Sequence, residues 1–343
     1  MKIKNTKQFA HDLCDWYRLH YRKLPFRETS EPYNILVSEL MLQQTQMDTV
    51  IPYYSRFIQR FPTIKDLAMA PQSEVLKYWE GLGYYRRAKH LHDTAKIIVS
   101  DYNGVFPNEL NAIKKLKGVG NYTAGAIHSI AFNQPTPAID GNVVRVLSRV
   151  TAYSNDVSTK ESALYFETIL KSLIKHETPR DFTQAMMELG ALVCKKKPLC
   201  EICPVQKQCL AFKHHTQEDY PIKKSKKPIQ HESYFTFVLQ DQQNQTLLIR
   251  RPDKGLLANL MAFPQYLTSD IDLAIKRFNE DFNVTVKHAS YLFDIEHIFS
   301  HKKWHLHVYR IKTDSDISSH NTYNLNDLPE AISKAHLKII EKL

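Results

Sequence analysis

Residues 116–149 read LKGVGNYTAGAIHSIAFNQPTPAIDGNVVRVLSR, and two features of this stretch set the fold. Gly118 and Gly120 flank Val119 in a tight turn that leads straight into a helix start made of small residues. Glycine permits unusual backbone angles and close approach, so such a turn leaves free N–H groups at a helix N-terminus, aimed at an anion. Further on, Asp140 sits between Ile139 and Gly141, ahead of an arginine-bearing amphipathic helix. A GxG turn alone is a poor motif. Followed by this second helix start, it becomes much stronger.

Working outward, apolar residues from about 6 to 212 recur at helical spacing, as in Phe9, Leu13, Trp16 and Tyr17, or Leu164, Ile169, Leu170 and Leu173. Turn signals at PFRETSEPYN, FPT, AP, GLGYY, YNGVFP, KGVGN and NQPTP cut this region into short helices. The expectation is an all-helical body over 1–212. Residues 213–230, KHHTQEDYPIKKSKKPIQ, are polar, basic and broken by Pro221 and Pro228, and read as an exposed linker. The pattern then changes. Tyr234–Leu239, Thr246–Ile249, Val284–Phe293 and Trp304–Ile311 are rich in β-branched and aromatic residues, with helical stretches near 270–282 and 328–342. A second, α+β domain is expected over 231–343.

The length of 343 residues accommodates two or three domains, and 43% hydrophobic with 24% charged residues is the composition of a soluble globular protein. No run approaches the roughly 18 apolar residues a membrane span needs, and the start, MKIKNTKQFAHDLCDW, is too polar for a secretory signal. A cytoplasmic protein follows as the expectation. The net charge of +10 is unevenly spread: Lys+Arg against Asp+Glu is 33 to 22 over residues 1–230 and 13 to 14 over 231–343. An excess of positive charge in the first two thirds suits a polyanion such as nucleic acid, or a solvated surface.

Four of the five cysteines, Cys194, Cys200, Cys203 and Cys209, form C-x5-C-x2-C-x5-C. In a cytosolic chain this clustering argues for metal rather than disulfides, and four soft thiolates suit zinc or iron. Spacing alone does not separate zinc from an iron–sulfur cluster. The loop also carries Lys195, Lys196, Lys197 and Lys207.

Two carboxylates stand out. Glu39 lies within ILVSELMLQQTQ, among Ile35, Leu36, Leu40 and Met41, where ionisation is costly. Its pKa is expected to rise, making it a proton donor near neutral pH or a satisfied structural glutamate. Asp140 is a good helix N-cap, a reading compatible with a chemical role.

The succession SELMLQQTQ, GLGYYRRA, GVGNYTAGAI, AIDGNVVRV and ELGALVC with three more cysteines resembles the helix-hairpin-helix DNA glycosylases. Within them it is similar to the adenine glycosylases of the MutY type, which remove adenine mispaired with 8-oxoguanine. The resemblance covers nearly the whole chain. It implies an all-α helix-hairpin-helix core with an iron–sulfur cluster loop, followed by a C-terminal α+β Nudix-like domain.

Carried over by position, the resemblance makes Glu39 the general acid that protonates adenine at N7. Asp140 becomes the carboxylate that stabilises the positive sugar, as a charge or through a transient covalent bond. In the endonuclease III relatives, which also break the strand, a lysine follows the hairpin; here Tyr122 stands there, lining the adenine pocket. A phenol cannot form an imine, which implies a monofunctional glycosylase. Arg27 and Gln184 match positions at the adenine pocket. Gln44, Thr45, Leu82 and Tyr84 match positions around the oxidised guanine and the stacking wedge, and Gly118, Val119 and Gly120 match the phosphate-binding hairpin.

The cysteine spacing resembles a 4Fe-4S loop and favours that cluster over zinc, although KKKPL supplies five residues where the family usually has six. Lys117 and Phe26 depart from the proline and tryptophan common at their positions. KGLLANLMAFP and HIFSHKKWHLHVY mark the Nudix-like domain, in which Phe299, Ser300 and His301 match residues that reach 8-oxoguanine. The stretch DIDLAIKRFNEDFN lacks the glutamate cluster of an active Nudix hydrolase, so recognition without hydrolysis is implied. Double-stranded DNA carrying the mispair is the implied partner of a monomeric protein at the bacterial nucleoid. The rival readings are a bifunctional glycosylase/lyase, a noncatalytic DNA-binding protein, and a nucleotide hydrolase centred on the last domain.

Overall fold

A computed structural model describes residues 3–223, 229–241, 243–315, 317 and 320–343. The helical part comprises α1 (Thr6–His20), α2 (Pro32–Leu42), α3 (Met47–Arg60), α4 (Ile64–Met69), α5 (Gln72–Tyr78) and α6 (Arg86–Asp101). It continues through α7 (Leu110–Ile113), α8 (Asn121–Ile130), α9 (Gly141–Thr151), α10 (Lys160–Ile174), α11 (Pro179–Leu192) and α12 (Leu210–Lys213). The chain divides into two compact units. One holds the described residues up to Met69 together with those from His90 to the expected linker, and the other holds Ala70–Lys89 with the C-terminal residues. The early segment 70–89, which lies within the expected helical region, thus makes its main contacts with the C-terminal residues.

In the first unit, α1, α9, α10 and α11 enclose a core of Phe9, Leu13, Val146, Leu147, Phe166, Phe182 and Leu189. The apolar stripe of each helix, seen in the sequence as spacing of three and four, is what meets there. Each such fully buried side chain contributes about 1.5–3 kcal/mol. Helix α8 uses small residues instead. A Cβ at Gly125 would lie 2.1 Å from the carbonyl oxygen of Pro137, so only glycine lets residues 137–138 run directly over the helix. That close approach brings the start of α9 back towards the start of α8.

The expected linker is partly structured. Arg149 Nε donates to the Gln217 carbonyl at 2.7 Å, and Val157 N donates to the Ile222 carbonyl at 3.0 Å, tying 217–222 to the helical unit. Residues 224–228 of that stretch lie outside the described residues.

The second unit contains β1 (Gln230–Val238), β2 (Thr246–Leu247), β3 (Ile249–Arg250), β4 (Met261–Ala262), β5 (Gln265–Leu267), α13 (Ile271–Phe282), β6 (Val286–Ile298), β7 (Lys302–Thr313), β8 (Thr322–Tyr323) and α14 (Lys334–Ile340). Its main sheet has the order β5-β1-β7-β6, with β1 and β7 parallel and β6 and β7 antiparallel. Alternation along β7 serves both faces: Trp304, Leu306 and Val308 pack with Ala335 and Ile339 of α14, while Tyr309 and Ile311 meet Ala274 and Phe278 of α13. The short strands β4, β5 and β8 left no readable alternation in the sequence. Segment 70–89 joins this unit through Tyr85, whose hydroxyl donates to the Ile332 carbonyl at 3.2 Å, and Glu80, which accepts the Ile332 N–H at 2.7 Å.

Candidate active site

Helix α2 is apolar around its circumference, with Tyr33 and Ile35 to Met41 all buried. A helix without a polar face lies inside the protein, and its single acid, Glu39, goes in with it. Glu39 is 6% exposed, and its Oε2 has no hydrogen-bond partner among the described residues. Burial pushes its pKa up to about 7, against a hydrogen bond from Tyr122; the charge of Asp140 adds to the rise and that of Arg27 opposes it.

Tyr122 enters from the first turn of α8. Its hydroxyl faces the Glu39 carboxyl and lies 4.0 Å from the Met187 sulfur. Burial, with the charges of Glu39 and Asp140, holds the phenol well above its ordinary pKa, so it stays protonated. Gln43 Nε2 donates to Thr123 Oγ1 at 3.2 Å and ties the end of α2 to the same turn of α8.

Asp140 is the N-cap of α9, with extended backbone geometry. Val143 N donates to its Oδ1 at 2.7 Å and Asn142 Nδ2 to its Oδ2 at 2.8 Å. Burial raises its pKa, opposed by the Val143 and Asn142 donors and by the charge of Arg145. The capping geometry that fixes the carboxylate also aims donors and the helix dipole at its charge. Glu39, Tyr122 and Asp140 thus lie within electrostatic reach of one another, although they are far apart in sequence.

Behind them lies a charge network that sequence reasoning found only in part. Arg27 Nη2 donates to Glu188 Oε2 at 2.6 Å, and Arg22 reaches the same carboxylate through Nε at 2.8 Å and Nη2 at 2.7 Å. Burial would raise the Glu188 pKa, but these partners bring it down to about 2. Gln184, one helical turn earlier on α11, accepts from the Tyr17 hydroxyl at 3.0 Å. The i,i+4 spacing of Gln184 and Glu188 was the available clue to Glu188. Arg22 and Tyr17 left no comparable sequence signal.

The hairpin turn is built as its glycines require. Gly118 has φ +72, and a Cβ there would approach His90 Cβ to 2.6 Å. Val119 is buried as the anchor, and Gly120 starts α8 without a side-chain cap. The first N–H groups of α8 therefore keep their capacity for an anion. Gln44 is exposed with a left-handed φ of 56, and Thr45 beside it is half-buried.

In the second unit, Leu82 is buried at 6% while Tyr84 is 45% exposed with φ 50, so of this pair only Tyr84 offers a side chain to solvent. Phe299, Ser300 and His301 form the tip of the β6–β7 hairpin. Phe299 packs inward on Trp304, and the other two are exposed.

All four clustered cysteines line one cavity, together with Val146, Val150, Leu189 and Val205. Arg149 Nη1 donates to Cys194 Sγ at 3.3 Å, and Arg145 Nε to the Cys194 carbonyl at 2.7 Å, so α9 holds the loop by two arginines. Burial, with the neighbouring thiols, pushes Cys203 up to about 12 and Cys209 up to about 11. Such thiols become ligands only when a metal displaces their protons. Among the described residues no three His, Cys, Asp or Glu side chains converge on a single-ion site. The four cysteines line one cavity, a soft donor set that fits a sulfur-ligated metal group.

Residues 37–172 match the HhH-GPD superfamily of base excision DNA repair proteins, and residues 235–342 match the NUDIX domain. An adenine DNA glycosylase of Buchnera aphidicola subsp. Baizongia pistaciae is 37% identical, over 97% of this chain and 97% of its own. The chain belongs to the adenine DNA glycosylase family. Another member, from Arabidopsis thaliana, is 39% identical over 83% of this chain and 51% of its own, longer sequence. Among solved structures, a thermostable thymine-DNA glycosylase aligns with a TM-score of 0.57 and 29% identity, over 62% of this chain and all of its own. The helix-hairpin-helix core and the Nudix-like α+β domain expected from sequence are therefore both present. Among the described residues no helix is long and apolar enough to cross a membrane.

Proposed function

We propose that this member of the family is a monofunctional DNA glycosylase that hydrolyses the N-glycosidic bond of adenine paired with 8-oxoguanine, or with guanine, in base excision repair. The observation that carries the reading is Glu39: a buried acid with pKa raised to about 7, an oxygen without a partner among the described residues, and a second carboxylate within electrostatic range.

The two acids divide the work by their donors. Asp140 has the Val143 N–H, the Asn142 side chain and its own helix N-terminus, all of which favour the anion. Glu39 has the Tyr122 hydroxyl against full burial, which favours the acid. One carboxyl acting as acid beside a second held by hydrogen-bond donors that favour its anion is the pattern for glycosidic cleavage through an oxocarbenium-like transition state.

Glu39 gives its proton to N7 of an extruded adenine, and Asp140 stabilises the sugar cation, either as a charge or by a transient bond to C1′. Water completes the hydrolysis. Tyr122 orients Glu39 and cannot form an imine, so the strand is left uncut. Arg27 and Gln184 line the base pocket, Gln44, Thr45 and Tyr84 support the opened stack with Leu82 buried in the same turn as Tyr84, and Ser300 and His301 inspect the base opposite from the hairpin tip anchored by Phe299. Gly118, Val119 and Gly120 hold a DNA phosphate. The protein acts on double-stranded DNA as a monomer.

Cys194, Cys200, Cys203 and Cys209 would hold a 4Fe-4S cluster, with zinc as the alternative. When bound, that group cross-links the loop and presents Lys195, Lys196 and Lys197 on a fixed surface.

The test is single-turnover excision on duplexes with adenine opposite 8-oxoguanine, guanine or thymine, with borohydride trapping in parallel. Release of adenine fastest opposite 8-oxoguanine, without a trapped adduct, is expected. A trapped adduct would establish the lyase reading instead.

A further inference from the structure

Beneath the β6–β7 hairpin tip lies a carboxylate that the proposed reaction does not use. Glu232 of β1 is 8% exposed. Its Oε2 accepts from Trp304 Nε1 at 2.9 Å and from the Tyr234 hydroxyl at 2.9 Å, and Lys302 Nζ pairs with Oε1. Burial would raise its pKa, but Lys302, Tyr234 and Trp304 outweigh it and hold the carboxyl below the usual range. Three donors on one buried acceptor make a strong and directional junction.

Two of those donors support the tip. Lys302 follows His301 directly and starts β7. Trp304 is the surface on which Phe299 stands edge-on, with ring centroids 4.8 Å apart, and the Arg251 guanidinium lies 5.5 Å over the same indole. The backbone closes the turn: Phe299 N donates to the Lys302 carbonyl at 2.7 Å, and Gln230 N to the His301 carbonyl at 3.2 Å. By contrast, Ser300 Oγ and His301 Nδ1 meet each other at 3.3 Å on an exposed surface. Their placement therefore depends on what lies under them. Reading a base by hydrogen bonds demands donors held within about 0.5 Å of the required position.

We propose that Glu232 is the positioning residue for opposite-base discrimination: through Lys302 and Trp304 it sets the height and orientation of the 299–301 tip. The inference rests on the reading that Ser300 and His301 inspect the base opposite adenine.

The experiment compares full-length wild type, Glu232→Gln, Lys302→Met, the Ser300→Ala/His301→Ala double variant, and that double variant with Glu232→Gln added. Single-turnover rates are measured with adenine opposite 8-oxoguanine and opposite guanine. Glu232→Gln keeps the shape but removes the charge that holds Lys302. It should reduce the ratio of the two rates by about 10- to 100-fold, the effect of losing one hydrogen bond to a charged group, while the rate opposite guanine stays as in wild type. Tryptophan emission should shift as the Trp304 indole N–H loses a charged acceptor. Lys302→Met should move the ratio in the same direction, and it decides the matter alone if Glu232→Gln does not fold. Adding Glu232→Gln to the tip double variant should cause no further loss.

A wild-type ratio in both single variants, equal loss on both duplexes, or additive loss on top of the tip variant would each overturn the proposal. A tip double variant with a wild-type ratio would remove the base-reading assignment itself. That failure is distinct from one in which the tip matters and Glu232 does not.

Discussion

The Asn142 side-chain amide donates to Asp140 Oδ2 at 2.8 Å, so the residue that caps α9 is itself held by the helix it caps. The amide cannot turn away, because its Oδ1 accepts from Arg145 Nη2 at 2.8 Å. Asn142→Ala leaves the Asp140 carboxylate with fewer donors and raises its pKa. A hydrogen bond to a charged group contributes about 1.5–3 kcal/mol, so single-turnover excision should fall by about 10- to 100-fold. Duplex affinity, measured by a binding titration, should be unchanged; a loss confined to binding would count against the role assigned to Asp140.

Glu39→Gln should bind a duplex carrying the mispair and release no adenine. Full activity in that variant would end its assignment as the proton donor. In the wild type the excision rate should fall as pH rises through about 7, where Glu39 loses its proton. The stability effect has a definite sign. The folded pKa is raised above the unfolded 4.5, so the native state keeps a proton that the unfolded chain gives up, and stability falls as pH rises from 4.5 to about 7. Glu39→Gln should therefore raise the melting temperature more at pH 8 than at pH 5, as read by thermal unfolding at the two pH values.

Glu188 is fully buried between Arg22 and Arg27. Removing one partner of such a pair leaves a charge uncompensated, and Glu188→Gln should cost about 3–5 kcal/mol in denaturant unfolding. Because pairing depresses the Glu188 pKa to about 2, its stabilisation is present above the unfolded value of 4.5 and is lost as pH falls towards 2. The variant should also move the alkaline limb of the rate profile to lower pH, since an unneutralised Arg27 lowers the pKa of Glu39 further. A limb that stays in place would break the link between this network and the acid.

Cys203→Ala should abolish the brown colour and the bound iron of anaerobically purified protein and lower its melting temperature. Iron removal by a chelator should do the same to the wild type. Protein that carries zinc and no iron under those conditions would replace the cluster assignment with the alternative.

The helices, the change from a helical core to an α+β domain and the turn at Gly118–Gly120 were legible because each is written in local pattern: spacing of three and four, then of two, and glycines where the backbone must bend. The contacts of segment 70–89 were not. Segment 70–89 has ordinary helical spacing, and its place with the C-terminal sheet rests on Tyr85 and Glu80 meeting one residue, Ile332. Strands of two or three residues such as β4 and β8 are too short to alternate.

From sequence alone, the types of chemical group were determined: an acid in an apolar helix, an aspartate at a helix start, a tyrosine in place of an amine, four thiols in one loop. Those follow from composition and short-range spacing, which a linear chain states directly. Protonation was decided only in three dimensions, because it depends on what surrounds each carboxylate after folding. Burial outweighs the Tyr122 hydrogen bond and keeps the proton on Glu39, the Asn142 and Val143 donors favour the anion at Asp140, and Arg22 and Arg27 hold Glu188 ionised. A charge is set by its neighbours in space, and those neighbours come from segments remote in the chain.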